Sequence, residues 1–304
     1  MPKAVRFDGY GDVDVLEVVD VEEPAPQAGE TLVRVKAAGI NPGEAKIRDG
    51  SLHEMFPATF PSGQGSDLAG VVERDGSGFR AGDEVVGWVD TRSSHAELVA
   101  VPAAQLIPKP ANLSWEVAGG LFVAGTTAYA AVAAVGAAQG ATVVVAGAAG
   151  GVGSLAVQLA RRAGATVIGL ASEHNHDWLS RFGVIPVSYG AGVAERIRRA
   201  AGEGDVDALI DTHGSGYVEL ALELGVARDR IDTIADFPAA QRYGVKTDGN
   251  GAGATPENMR HLVDLLASGE LVLEVARTYP LDDVRAAYRE LETGHTRGKI
   301  VLIP

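Results

Sequence analysis

The sequence predicts an α/β protein in two parts: a β-rich, partly open antiparallel barrel and a doubly wound parallel sheet. Three observations carry this. The first third of the chain alternates short apolar runs with Gly and Pro turns and shows no βα rhythm. From Ser114 onward, short apolar strands alternate with helix-compatible runs, the pattern of a parallel sheet covered by helices. One of those strands opens into a glycine-rich turn and then a helix.

In chain order, residues 3–7, 16–21 and 31–38 read as strands, separated by Gly9-Tyr10-Gly11 and Pro24-Ala25-Pro26. Residues 70–74, 84–89 and 96–101 read as three more. The Ala-rich run at 127–138 reads as a close-packing helix. The parallel strands are expected at 142–146, 166–170, 185–188, 208–211 and 230–235, with helices at 152–162, 176–182, 194–200 and 217–224. Right-handed crossovers make such a series doubly wound. A helix at 256–268, a strand at 272–278, a helix at 281–293 and a strand at 299–303 close the chain. The segments 51–60 and 235–254 read as loops that shape a pocket. The expected domains are 1–117 with 257–304, and 118–256 between them.

The bulk numbers narrow the function. A chain of 304 residues accommodates two domains, and 46% hydrophobic residues can fill two cores. The net charge of -14 repels phosphate backbones and anionic lipid, so neither nucleic acid nor a membrane is an expected partner. There is no cysteine, which removes thiolate catalysis and Cys-based zinc sites and fits a cytoplasmic protein. The N-terminus lacks a signal-like apolar core. The longest apolar stretch, 118–138, is mostly Ala and Gly and reads as a soluble helix.

The glycine turn is Gly147-Ala148-Ala149-Gly150-Gly151-Val152-Gly153. Glycines permit a tight turn and a close backbone approach to a pyrophosphate, which the following helix N-terminus attracts. Ala148 stands at the first position of the G-x-G-x-x-G pattern, with Gly150 and Gly153 at the others. The expected ligand is a nicotinamide dinucleotide. An acidic residue ending the second strand would favour NAD. Here that strand ends in Ala171-Ser172, and Ser172 and Asn175 can donate to a 2′-phosphate, so NADPH is expected. Their alternative role is capping the next helix. Glu173 opposes the assignment, and His174 adds a chargeable group. His213 ends the fourth parallel strand, where cofactors lie.

These residues resemble the medium-chain dehydrogenase/reductase superfamily. Further resemblance lies in Ala38-Gly39-Ile40-Asn41-Pro42, Gly65-Ser66-Asp67-Leu68-Ala69-Gly70, Gly82-Asp83-Glu84-Val85-Val86-Gly87, Ala124-Gly125-Thr126-Thr127 and Arg297-Gly298-Lys299-Ile300. The resemblance implies a GroES-like catalytic domain and a Rossmann domain. Zinc members carry ligands where this chain has Asn41, Ser66 and a position near Ala124. The closer likeness is therefore to the zinc-free quinone oxidoreductase branch. It implies cofactor contacts at Asn41, Thr127, Gly150, Gly151, Val152, Ser172, Asn175, Tyr189 and Arg297, and a homodimer or larger symmetric oligomer.

Without a metal, the expected reaction is direct hydride transfer from NADPH to a quinone or similar electron-poor acceptor. Asn41 is expected to orient the nicotinamide or donate to the acceptor oxygen; its alternative is to cap the segment before Pro42. Relatives have a tyrosine after the segment matching residues 46–50, whereas this chain has Leu52-His53, which makes His53 the candidate proton donor. Lys46 and Arg48 are placed at the pocket edge or on a solvated face. His95 and the tryptophans Trp88, Trp115 and Trp178 are read as structural. The competing readings are an enoyl or 2-alkenal reductase on the same fold, and an NADPH-binding sensor or structural protein with little turnover. The strand at 230–235 is the candidate edge for pairing between protomers.

Overall fold

The computed structural model describes residues 1–249 and 251–304; Asn250, inside the expected 235–254 loop, lies outside the described residues. The chain runs β1 (Lys3–Phe7), β2 (Glu17–Asp20), β3 (Glu30–Gly39), α1 (Pro42–Arg48), β4 (Ser62–Gly63), β5 (Asp67–Val72), β6 (Glu84–Trp88), β7 (Leu98–Pro102) and β8 (Leu106–Pro108). Then come α2 (Trp115–Gly119), α3 (Phe122–Ala134), β9 (Thr142–Ala146), α4 (Gly151–Arg162), β10 (Thr166–Leu170), α5 (His176–Ser180), β11 (Ile185–Val187), α6 (Val193–Ala201) and β12 (Ala208–Asp211). The remainder is α7 (Tyr217–Glu223), β13 (Ile231–Thr233), α8 (Phe237–Tyr243), α9 (Pro256–Ala267), β14 (Val275–Pro280), α10 (Val284–Glu292) and β15 (Lys299–Ile303). Two compact units result: Met1–Val123 with Met259–Glu270 and Glu274–Pro304, and Ala124–Asn258 with Leu271–Leu273.

In the first unit β3 is the organising strand. It buries Leu32, Val33, Val35, Ala37 and Ala38 and leaves Arg34 and Lys36 exposed. It pairs antiparallel with β5, β7 and β15, and β5 continues through β6 to β8. The strand expected at 70–74 starts earlier, at Asp67. Gly70, the first residue of the expected strand, lies in the middle of β5, where a Cβ would sit 2.3 Å from the Arg34 carbonyl oxygen on β3, so the close strand approach requires glycine. One core gathers Val5, Phe7, Leu16, Tyr288 and Ile300, and a second gathers Val33, Val35, Leu68, Val85 and Val99.

The second unit is a parallel sheet in the order β11-β10-β9-β12-β13. β9 comes first in sequence yet sits centrally, so the chain reverses direction across the sheet there and leaves a crevice at the strands' C-terminal ends. Val143, Val144, Val145 and Ala146 of β9 are all fully buried, which explains an unbroken apolar run rather than an alternating one. Leu209, Ile231, Ile168 and Leu170 pack with Ile197 and Leu220 into the core.

Other expectations shift. The Ala-rich helix is Phe122–Ala134 rather than 127–138, and Gly136 beyond its end adopts φ 62°. The 235–254 loop contains α8: the Asp236 carboxylate accepts the Ala239 N–H at 3.1 Å, and Pro238 sits in the first turn, where its missing N–H costs nothing. The last parallel pair begins at Val275 rather than 272. The edge proposed for pairing between protomers is already used. Lys246 N–H donates to the Ile231 carbonyl at 3.0 Å and the Thr233 N–H donates to the Lys246 carbonyl at 3.0 Å, so the chain covers β13 itself. Among the described residues, no helix is long and apolar enough to cross a membrane.

Candidate functional site

The glycine turn has the geometry of a cradle at a helix N-terminus. Gly147 sits at φ 71°, and its carbonyl accepts the Gly150 N–H at 3.0 Å, closing the turn. A Cβ on Gly153 would lie 2.1 Å from that same carbonyl oxygen, so only glycine lets α4 start so close to the turn. Gly150 is the N-cap and provides no side-chain acceptor. The first N–H groups of α4, from Gly151, Val152 and Gly153, therefore remain donors at the positive end of a helix dipole. Gly150 faces more open space: a Cβ there meets only the Gly147 oxygen, at 3.4 Å.

The neighbouring loops follow the strand order. Beside the turn, the Ala148 N–H donates to the Leu170 carbonyl at the end of β10. Ser172 caps the next turn by position only; its hydroxyl accepts from Asn175 Nδ2 at 3.1 Å and is not spent on backbone N–H groups. Asn175 is 5% exposed, and its Oδ1 is buried without a partner among the described residues. A buried lone acceptor is costly unless a ligand hydroxyl or water satisfies it. Tyr189, half exposed, follows β11. His213 follows β12, donates its N–H to the Asp211 carboxylate at 3.0 Å and stacks edge-on with Tyr217. Gly147, Ala149, Gly150–Gly153, Ser172, Asn175, Tyr189 and His213 thus share one end of one sheet. Thr127 lies half-buried on α3.

The first unit holds Asn41, His53 and Arg297. Asn41 precedes Pro42 and begins α1, and its backbone N–H donates to Glu44 Oε2 at 2.9 Å. Both of its amide hydrogens are engaged, Nδ2 donating to Glu44 Oε1 at 3.1 Å and Asp67 Oδ2 at 3.3 Å, while Oδ1 accepts from Lys299 Nζ at 2.6 Å. Donating to an acceptor oxygen, as expected of Asn41, therefore requires that one of these two bonds be exchanged. Glu44 also accepts from Tyr288 Oη at 2.7 Å and from the Ser66 N–H at 3.0 Å. Burial pushes the Asp67 carboxyl and the Tyr288 phenol up and the His95 imidazole down. A neutral His95 faces the Gly39 carbonyl through Nε2 at 3.2 Å, a structural role.

His53 is exposed, and its Nδ1 bonds the Gly50 carbonyl at 2.7 Å, leaving Nε2 outward. Tyr10, absent from the expected site, lies 6.2 Å from the His53 ring and 5.0 Å from Phe60. Its Oη accepts the Ala58 N–H at 2.9 Å and keeps its own hydrogen. Arg297 pairs with Glu274 at 3.3 Å. Arg48 is corrected from pocket edge to core: it is 2% exposed, pairs with Glu292 at 2.7 Å and lies over Tyr288. Trp88 stacks on Phe122 and Trp178 packs on Phe182, as structural residues do.

Residues 27–111 match the alcohol dehydrogenase GroES-like domain family, and residues 184–302 match the zinc-binding dehydrogenase family. Quinone oxidoreductase of Rattus norvegicus is 34% identical over 99% of this chain and 97% of its own length. The 2-methylene-furan-3-one reductase of Solanum lycopersicum is 32% identical over 99% of this chain and 79% of its own length. The structure of Escherichia coli quinone oxidoreductase complexed with NADPH superposes with a TM-score of 0.87 at 27% identity, covering 99% of this chain and 100% of that one. The chain belongs to the quinone oxidoreductase branch of the medium-chain dehydrogenase/reductase superfamily.

It is an oxidoreductase of that branch. The zinc of other superfamily members does not fit this chain at Asn41 and Ser66. Asn41 offers a neutral amide oxygen, already bound at 2.6 Å by the Lys299 ammonium, and a second cation there would meet that charge. Among the described residues, no cluster of three or more His, Cys, Asp or Glu side chains could hold a metal ion. The buried partners Glu44, Asp67, Tyr288 and Lys299 escaped sequence reading. Asp67 and Lys299 lie inside the motifs that carried the resemblance, but nothing in a linear motif says that they meet.

Proposed function

We propose that the protein is a zinc-independent, NADPH-dependent reductase that delivers a hydride to a quinone or similar electron-poor acceptor. The observation that carries this is the glycine cradle: a helix N-terminus without a side-chain cap at the switch point of a parallel sheet. The family's relatives support it, and the orphaned Asn175 Oδ1 fits a ribose hydroxyl. When bound, NADPH supplies the hydride, and one proton completes reduction of a quinone to a hydroquinone.

The chain's own residues bind and orient. The amides of residues 151–153 hold the diphosphate, Ser172 and Asn175 hold the adenosine ribose end, and Tyr189 and His213 flank it on neighbouring loops. Thr127 and Arg297 stand in this reading as further cofactor contacts. Asn41 acts as a positioning residue: locked between Lys299 and two carboxylates, it fixes the start of α1 and the backbone that follows. His53 is the proposed proton donor, through Nε2 of its imidazolium form because Nδ1–H is held by the Gly50 carbonyl, and Tyr10 Oη is its competitor beside the exposed Phe60.

A C=C reductase on the same fold is the second reading, favoured by the Solanum lycopersicum relative. NADPH oxidation measured against benzoquinones and 2-alkenals separates the two. Turnover with quinones, undiminished by EDTA and weaker with NADH, is the expected result. Saturable NADPH binding with no oxidation across the panel would replace the enzyme reading with a binding protein. Tyr10→Phe and His53→Gln, assayed alike, identify the proton donor by which of them loses turnover.

A further inference from the structure

The turn after β10 lacks fixed positive charge: the sequence carries no Lys or Arg from Ala163 through Ser180. A phosphate dianion is usually met by such cations. One guanidinium stands at the end of the adjacent strand β11, but Arg196 is spent on its own loop. It donates to the carbonyls of Ser188 at 3.0 Å, Ala191 at 2.7 Å, Tyr189 at 3.2 Å and Gly190 at 3.3 Å. On the other side, the loop after β9 contains no ionisable residue. The turn itself carries Glu173 and Asp177, both exposed and acidic, and two imidazoles.

The imidazoles differ in placement. His176 Nε2 faces the Ala171 carbonyl at 3.4 Å, inside the turn. His174 is exposed, and its Nε2 lies 3.4 Å from the Ser172 hydroxyl oxygen. That oxygen already accepts from Asn175 Nδ2 at 3.1 Å. With Asn175 and His174 both donating to it, the Ser172 hydroxyl hydrogen is left to donate outward, and His174 Nδ1 remains a second donor.

We propose that His174, together with the Ser172 hydroxyl it supports, selects the 2′-phosphate of NADPH, and that the preference over NADH exists only while that imidazole is protonated. The proposal rests on the coenzyme reading above. In its cationic form His174 offsets Glu173 and makes a charge-assisted bond to phosphate. In its neutral form the turn presents an uncompensated acidic residue to a phosphate dianion. Coenzyme choice in this chain therefore depends on pH through one exposed side chain.

The test is binding, read by fluorescence titration of NADPH and NADH without acceptor, at about pH 6.5 and about pH 8. The wild-type preference for NADPH is expected to fall about fivefold between the two conditions. In His174→Gln it is expected to be equally low at both. The phosphate's own ionisation is common to both proteins and cancels in the comparison. A preference that falls equally in the variant, or that disappears in His176→Gln instead, overturns the assignment to His174. Binding of neither coenzyme by folded protein would overturn the coenzyme reading together with this one, whereas tight binding with a flat ratio overturns this one alone.

Discussion

Individual buried charges set much of this protein's response to pH and mutation. Asp232 on β13 is fully buried; its Oδ1 accepts the Asp248 N–H at 2.7 Å, and its Oδ2 has no partner among the described residues. Burial pushes its carboxyl up to about 6 from 3.8. The folded chain thus binds this proton more tightly than the unfolded chain does. The resulting stability is complete below the unfolded value and is lost as pH rises through about 6. Asp232→Asn keeps an acceptor for the backbone and removes the charge. Relative to wild type it is expected to gain up to roughly 3 kcal/mol between acidic and neutral pH, checked by urea unfolding at several pH values. Lys299 carries the opposite sign. Replacing it with Met strands the buried Asp67 carboxylate and the Asn41 oxygen, at a cost of about 3–5 kcal/mol. Adding Asp67→Asn is expected to recover part of that loss in a double-mutant cycle; no recovery would deny the pair its role.

At the scale of an element, the β9–α4 turn separates folding from binding. Gly153→Ala forces a Cβ to within 2.1 Å of the Gly147 oxygen, so the turn or the helix must move. A loss of about 2 kcal/mol in stability is expected, together with weaker coenzyme binding. Gly150→Ala meets that oxygen only at 3.4 Å, with an ordinary extended backbone at φ -72° and ψ 176°. It is expected to fold normally and to lose coenzyme affinity about tenfold or more, because the methyl enters the cradle. Equal affinity in Gly150→Ala and wild type, measured by fluorescence titration, would take the diphosphate away from this turn. The turn was legible because glycine spacing is a local property. By contrast, β5 was misplaced at Gly70 and α8 was missed at Pro238. In each case a residue that usually ends an element is required by a neighbour or tolerated by its position.

For the molecule as a whole, the charge of -14 acts against its proposed coenzyme. NADPH carries more negative charge than NADH, and the turn after β10 has no Lys or Arg to compensate. In His174→Gln, which has no cation at the phosphate, raising ionic strength from about 10 to about 200 mM is therefore expected to tighten NADPH binding about threefold and NADH binding less, and in wild type the bond to His174 opposes that gain. A phosphate site dominated by lysine or arginine would show the reverse. Assembly is also constrained at this scale. With the outward N–H and C=O groups of β13 taken by Lys246, a homo-oligomer needs another surface than that strand's free edge.

The sequence by itself determined the two-part α/β architecture, the parallel series and the glycine turn. Each follows from the period of apolar residues or the backbone freedom of glycine within a short window. It also determined that the usual zinc ligands are missing, since residue identity is enough for that. Only the tertiary structure decided what Asn41 can do, because its partners Asp67 and Lys299 are 26 and 258 residues away in the chain. The same holds for the turn after β10. Its lack of lysine and arginine is plain in the sequence, but the diversion of Arg196 to its own loop and the approach of His174 to Ser172 depend on folded geometry. Electrostatics and hydrogen bonding act through space, and a linear pattern records only neighbours along the chain.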